Sequence, residues 1–269
     1  MDLAKLKESG RKKSNCFLVI HGETKVGKST LASYIPDSVL VCVENDGADD
    51  LDHPHKYTRI PDSKTLVKML PALAKLPEQN IIIDNITFLD EMIKEEVLKS
   101  NGINSLSEIG HGKAYEQVET KSNKVIKQIH KLKTHHDKNV IILGHTKLMR
   151  SFDVAAEDDV SELTVSTNRP RTSEFITRLS TGVFYFTLLK ANVDTKGKKT
   201  AGDTIVKKKA TRVIYLNKLA GVVCGSNLRG LKDKIVFRRE DDYSKLWKMI
   251  APQLKDKKRK GGKPNKQSK

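Results

Sequence analysis

Four stretches of the chain are apolar almost without a break: residues 16–20 (CFLVI), 39–43 (VLVCV), 81–84 (IIID) and 140–143 (VIIL). A strand with one wet face alternates; these do not, so each reads as a strand covered by helices on both sides of a mostly parallel sheet. Between the third and fourth runs, residues 113–132 set Val118, Val125, Ile129 and Leu132 at helical spacing, which predicts a helix with one face on the sheet. Residues 63–76 are also helical in pattern but carry Pro71, which predicts two short helices or one kinked helix. Beyond Arg150 the pattern gives way to polar, turn-rich sequence as far as Arg171, which reads as a long loop. Two more runs, 183–190 (VFYFTLLK) and 210–217 (ATRVIYLN), flank a Gly- and Lys-rich link and predict a β-hairpin with a long tip. A strand at 235–238 and a helix at 242–254 close the pattern, which as a whole predicts an α/β fold.

The first strand runs into Gly22, Glu23, Thr24, Lys25, Val26, Gly27, Lys28 and Ser29, which fit the spacing G-x-x-x-x-G-K-[ST] between a strand and a helix that begins near Lys28. Glycines there let the backbone curl so that several N–H groups face phosphate oxygens, and the helix N-terminus adds a favourable dipole. Lys28 is expected to reach the β- and γ-phosphates and the Ser29 hydroxyl to ligate Mg²⁺, with Lys25 and Thr30 less constrained. Asp84 closes the third strand at the carboxyl edge of the sheet, where it would hold the metal through water. Asn85 follows it, so a carboxylate that orients the attacking water has to come from elsewhere. Glu44, at the end of the second strand, is the candidate; the competing reading is a solvated acid in a turn that also holds Asp46, Asp49 and Asp50. At the end of the fourth strand His145 places a polar ring beside the γ-phosphate position, where it could sense hydrolysis and pass the change to the segment that follows.

Composition narrows the partners. Formal net charge is +17 over 269 residues, a field that attracts polyanions such as nucleic acid or an anionic membrane surface. Part of the excess lies in the terminal run KDKKRKGGKPNKQSK, whose single acid is Asp256; it reads as a disordered tail, either solubilising or binding phosphate non-specifically. Cys16, Cys42 and Cys224 lack metal spacing and fit buried thiols of a reducing compartment. No apolar run reaches the ~20 residues of a membrane span, and the basic start MDLAKLKESGRKK is not followed by a signal-like stretch, so a cytoplasmic protein with no membrane partner is expected. The expected division is a basic segment at 1–13, an ATPase domain at 14–253 and a basic tail at 254–269.

In order, a P-loop, a strand ending in Glu44, the Asp84 strand, a long helix, the His145 strand, a polar loop, a helix and a hairpin resemble the RecA/Rad51 core over roughly residues 14 to 240. Among such cores the chain looks most like the small phage-encoded RecA-like ATPases, also labelled AAA-domain or phage nucleotide-binding proteins, which work in recombination with a single-strand annealing partner. The resemblance implies a RecA-like P-loop core that uses ATP and Mg²⁺. In it Lys28 and Ser29 bind phosphate and metal, Asp84 supports the metal, Glu44 activates water, and His145 stands where RecA has Gln. It further implies single-stranded DNA as a partner, a single-strand annealing or single-strand-binding protein as another, and a homo-oligomer, filament or ring. The DNA loops would be 101–112 and 147–171, the second offering Lys147, Arg150, Arg169 and Arg171, with Phe152 for stacking and Glu157, Asp158, Asp159 and Glu162 against it. Lys218, or Arg229 near it, would reach the ATP of a neighbouring subunit; the competing reading is a surface cation. The N-terminal domain that helps RecA and Rad51 polymerise lies outside the resemblance, and aromatic-rich DNA loops are lacking, so DNA binding is expected to lean on the basic tail.

Three functions follow from these residues. The first is a DNA-stimulated ATPase acting on single-stranded DNA in recombination, repair or replication. The second is a P-loop kinase for a nucleotide or small acceptor, with Arg150, Arg169 and Arg171 on a lid. The third is an ATP-switched scaffold of a DNA-processing complex.

Overall fold

The computed structural model describes residues 13–43, 49, 51–153, 158–189 and 211–255, with the backbone alone at 151–153 and 158–160. Its centre is a sheet of strands β1 (Phe17–Gly22), β2 (Ser38–Cys42), β3 (Lys56–Arg59), β4 (Asn80–Asp84), β5 (Asn139–Asp153), β7 (Gly182–Leu189), β8 (Thr211–Tyr215) and β10 (Lys234–Phe237), in the order β10-β8-β7-β1-β5-β4-β2-β3. From β7 to β3 every neighbour is parallel; β8 and β10 add antiparallel strands at one side, and the short β9 (Gly225–Ser226) pairs antiparallel with β7. The fold expected from the sequence, α/β with a mostly parallel sheet headed by the P-loop, is the fold found. Every residue of β1 and of β4 is buried, as unbroken apolar runs demand.

Helices α1 (Lys28–Ser33) and α6 (Ser244–Ile250) cover one face of the sheet. The other face carries α2 (Ser63–Lys75), α3 (Ile86–Asn101), α4 (Lys113–His136) and α5 (Pro170–Leu179), which send Leu66, Leu89, Ile129 and Ile176 into one cluster with the strands. α2 is a single helix despite Pro71, capped by the Asp62 carboxylate, which accepts from the Thr65 amide. α4 is the long helix the spacing of Val118, Val125, Ile129 and Leu132 calls for, and all four are buried.

Several parts of the pattern resolve differently from the expectation. Much of 147–171 is regular structure and not loop: β5 continues past His145 to Asp153 and pairs antiparallel with β6 (Asp158–Val165), from Thr146↔Val165 to Asp153↔Asp158. Past its base, where Thr164 and Val165 are buried, the ribbon leaves the core, and its charged residues mask it as a turn. β3 and α3 also went unmarked; β3 (KYTR) is a polar edge strand, and the buried Asp90 interrupts the apolar stripe of α3. Likewise 101–112 holds two short 3₁₀ turns, Leu106–Glu108 and Gly110–Gly112. The hairpin β7–β8 is present and antiparallel, its tip outside the described residues. The closing helix is shorter than expected, with 3₁₀ turns Glu240–Tyr243 and Ala251–Gln253 on either side of α6.

Candidate functional site

The loop from Gly22 to Lys28 sits at the carboxyl edge of β1, between β5 and β7. Two of its residues take left-handed backbone, Lys25 at φ 62° and Gly27 at φ 98°. That curl turns the chain back on itself, and at Gly27 it strains any side chain. Gly22 is needed for a different reason: a Cβ there would lie 2.1 Å from the carbonyl oxygen of Phe186 on the adjacent strand.

Lys28 is buried, and its ammonium donates to the carbonyls of Gly22, at 3.0 Å, and Glu23, at 2.8 Å. These bonds hold Nζ across the mouth of the curl, where a phosphate would take over part of its coordination. Ser29 donates its hydroxyl to Asp84 Oδ2 at 2.6 Å. Burial raises the Asp84 carboxyl above its usual range, with the Ser29 bond and the Lys28 charge acting the other way. A hard cation fits this pair, because Mg²⁺ takes one or two protein oxygens and completes its shell with phosphate and water. Among the described residues no cluster of three or more His, Cys, Asp or Glu offers a cage of its own, so phosphate oxygens would have to share the ion. The peptide between Asp84 and Asn85 is cis, and Asn85 caps α3 by accepting from the Phe88 amide at 3.0 Å.

His145 closes the other side of the curl. It pairs with Gly22 across β1 and β5, yet it stands within a strand and not at its end, since β5 runs on into the ribbon. Lys28 Nζ lies 3.4 Å and Thr24 Oγ1 3.3 Å from its Nδ1. An ammonium can only donate, so Nδ1 accepts and the proton of the neutral ring is on Nε2. Burial, and then the charge on Lys28, push the ring's pKa down, which keeps it neutral. The His145 amide donates to Thr87 Oγ1 at 3.0 Å, Thr87 donates to the Ser166 carbonyl at 3.0 Å, and the Ser166 amide donates to the His145 carbonyl at 2.8 Å. The first turn of α3 and the base of β6 are thus tied to the same residue.

Several of these contacts were not visible in the sequence. Arg212, at the start of β8, donates from Nε to the Val26 carbonyl at 2.8 Å. A trans peptide points its C=O and N–H in opposite directions, so this bond aims the Gly27 N–H away from Arg212 and into the curl. A Cβ on Gly27 would meet Arg212 Nε at 3.3 Å and the Tyr243 hydroxyl at 3.5 Å, a second reason for glycine. His21, just ahead of the loop, is buried between Thr146 Oγ1, at 3.0 Å from Nδ1, and the Val223 carbonyl, at 2.9 Å from Nε2. Burial lowers its pKa to about 4, so it is a neutral strut, with Nε2 donating to the carbonyl. Arg212 and His21 lie far in sequence from their partners, and no local pattern marks them.

Glu44 lies outside the described residues. The chain leading to it is placed beside Asp84: Cys42 pairs with Asp84, and the Val43 amide donates to the Asp84 carbonyl at 2.7 Å. Lys218 is not at this edge. β8 runs antiparallel to β7, so its carboxyl end leads to the opposite edge of the sheet, and Lys218 lines a cleft there with Arg178, Asn217 and Asp233. Arg229 is exposed. Of the residues expected to meet DNA or to form a lid, Lys147 donates to the Thr167 carbonyl, and Arg169 lies 3.7 Å from Glu119 and over the ring of Tyr115. Both are committed to internal contacts, whereas Arg150 and Arg171 are exposed. The side chains of Phe152, Asp158 and Asp159, and all of Glu157, are outside the described residues, as are residues 1–12 and 256–269. Cys16 and Cys42 are buried as expected and Cys224 half-buried, all three free. No helix among the described residues is long and apolar enough to cross a membrane.

A family model described as an AAA domain matches residues 14–223. No curated protein matches the chain. A solved KaiC-like protein from the hyperthermophilic archaeon Pyrococcus horikoshii OT3 is similar at 13% identity with a TM-score of 0.47, over 84% of this chain and 86% of that one.

Proposed function

The chain belongs to the AAA-domain family of P-loop ATPases, and from that premise we propose that it hydrolyses ATP in response to single-stranded DNA, in recombination, repair or replication. The observation that supports hydrolysis best is the convergence of Lys28, Ser29, Asp84 and His145 on one curled loop, each held by a named partner. In this reading the loop amides and Lys28 bind the β- and γ-phosphates, and Ser29 and Asp84 hold Mg²⁺. When bound, that ion neutralises charge on the phosphate oxygens and fixes their geometry. His145 offers Nε2–H to the terminal phosphate, and its loss or gain of that partner is felt at Thr87 and Ser166. Glu44 is assigned the attacking water, on the strength of the path that β2 takes past Asp84. Lys218 is assigned to the ATP of a neighbouring subunit in a filament or ring, a reading compatible with its place at the far edge of its own sheet.

DNA enters this reading through the charge of +17 and through the resemblance to RecA-like recombination ATPases. An annealing or single-strand-binding protein would be the second partner, and a phage the setting. The test is turnover of MgATP with and without single-stranded DNA. A rise in turnover with DNA is expected; unchanged turnover together with no retention of DNA at low salt would end the proposal. Glu44→Gln separates the ATPase from a pure switch, because the ATPase should still bind ATP and stop releasing phosphate.

A further inference from the structure

The positive charge of this protein is not spread evenly over its helices. α2 holds Lys64, Lys68 and Lys75 and no acid. Residues 121–136 of α4 hold five lysines and three histidines and no acid. α5 adds Arg171 and Arg178 against Glu174. These three helices form one layer on the same side of the sheet, with α4 in the middle, and their apolar sides share one cluster. The opposite face of each is therefore turned outward together. The neighbouring α3, in contrast, carries Asp90, Glu91, Glu95 and Glu96 against Lys94 and Lys99.

On α4 the outward row is Lys124, Lys127 and Lys131, all exposed, at spacings of three and four residues. Such positions stack on one side of a helix with neighbours ~5–6 Å apart. None of the three, nor Lys64, Lys68 or Arg178, is in an ion pair among the described residues. Lys127 from α4 and Arg178 from α5 each stand 5.5 Å from the ring centre of Phe175, which brings cations of two helices to one spot. An array of like charges in which Glu174 is the one acid of α2, α5 and residues 121–136 costs free energy in the isolated protein, and an anionic partner removes that cost.

We propose that the outer face of α2, α4 and α5 is a docking surface for the phosphate backbone of nucleic acid. The inference deepens the reading of the protein as a DNA-stimulated ATPase and rests on it. It moves the contact from the segment at 101–112, the β5–β6 ribbon and the tail to a helical layer that keeps Arg171 of the expected set. A membrane is the poorer occupant: amphipathic surfaces that enter lipid present large apolar side chains beside the basic ones, and among the described residues the exposed large apolar side chains (Tyr57, Phe88, Leu148, Leu189 and Val236) lie outside these three helices. Rows of cations several ångströms apart, without apolar wedges or groove-reading side chains, suit a backbone read without regard to sequence.

The experiment compares the full chain with two triple variants of equal charge loss. One is Lys124→Gln/Lys127→Gln/Lys131→Gln; the other, on β10 and α6, is Lys234→Gln/Lys245→Gln/Lys248→Gln. MgATP binding serves as the check of folding, since neither set touches the curled loop. Affinity for a labelled single-stranded oligonucleotide is measured from 50 to 200 mM salt. The α4 triple should lose roughly tenfold or more in affinity at low salt and lower the slope of log K against log salt by roughly 2, as each backbone contact contributes ~0.7. The β10–α6 triple should change both by far less. If the full chain binds DNA and the two triples behave alike, the face is wrong while the DNA-dependent reading stands; if the full chain itself retains no DNA, that reading fails first and takes the face with it. Retention on vesicles of anionic phospholipid that only the α4 triple loses, with oligonucleotide binding intact, would also overturn the proposal.

Discussion

Two regions of this protein display their cations in unlike ways. At the edge of the sheet, a few groups are buried, aimed by hydrogen bonds and fixed by left-handed turns. On the outer helical layer, Lys124, Lys127 and Lys131 stand exposed and in no ion pair among the described residues. The first would recognise one geometry and tolerate salt, because the charges it offers are shielded from solvent. The second, on the proposal above, would recognise only charge density, and salt would compete with it directly. One chain would then hold a nucleotide in conditions that release a polymer.

Lys28→Ala removes the only side-chain ammonium of the curled loop that is buried, and should break the contrast most sharply. A loss of about 3 kcal/mol, or roughly a 100-fold rise in the Kd for MgATP, is expected from charged hydrogen bonds to phosphate. Titration calorimetry reads it, and oligonucleotide retention on the helical layer should survive. Asp84→Asn keeps the bond from Ser29 but removes the carboxylate from the metal; turnover should fall by about 2.7 kcal/mol in barrier, roughly 100-fold, with a smaller change in ATP affinity. Phosphate release checks it.

His21 tests the floor of the loop. Its folded pKa of about 4 lies below the ordinary value of 6.5, so the unfolded chain binds the extra proton and stability falls as pH drops from 6.5 towards 4. Between pH 7 and pH 5 this amounts to about 2 kcal/mol, read as a shift in the urea midpoint. His21→Gln should flatten that dependence. Arg212→Ala releases the Val26 carbonyl and loosens the aim of the Gly27 amide. MgATP affinity should fall by about 1.4 kcal/mol, roughly tenfold, and Arg212→Lys should restore only part of it, as a single ammonium lacks the planar fork. An unaltered Kd in Arg212→Ala would make the bond a bystander.

What the sequence disclosed and what it hid follow one physical rule. The P-loop, β1, β4 and the buried side of α4 were legible because their constraint is local: a fixed spacing, an unbroken apolar run, a period of 3.6. The β5–β6 ribbon was not, because only its base, at Thr164 and Val165, meets the core and its charged residues read as a turn. Nor were Arg212 and His21, whose meaning comes from residues 186 and 202 positions away. The acid-free α2 and residues 121–136 of α4 were in plain view as letters, but only the shared layer turns two lists of lysines into one surface. His145 was found for its place beside the loop, and misjudged as a strand's end.

That last difference reaches beyond bookkeeping of elements. Because β5 continues unbroken from the nucleotide edge, the eight residues from Thr146 to Asp153 form a stiff spoke roughly 25 Å long, at about 3.3 Å per residue. Tilting such a spoke by about 5° at its hub carries the rim by roughly 2 Å, more than half the rise of about 3.3 Å per residue along a strand. A displacement too small to notice at the hub would thus be large enough at the rim to make or break a contact with whatever stands there.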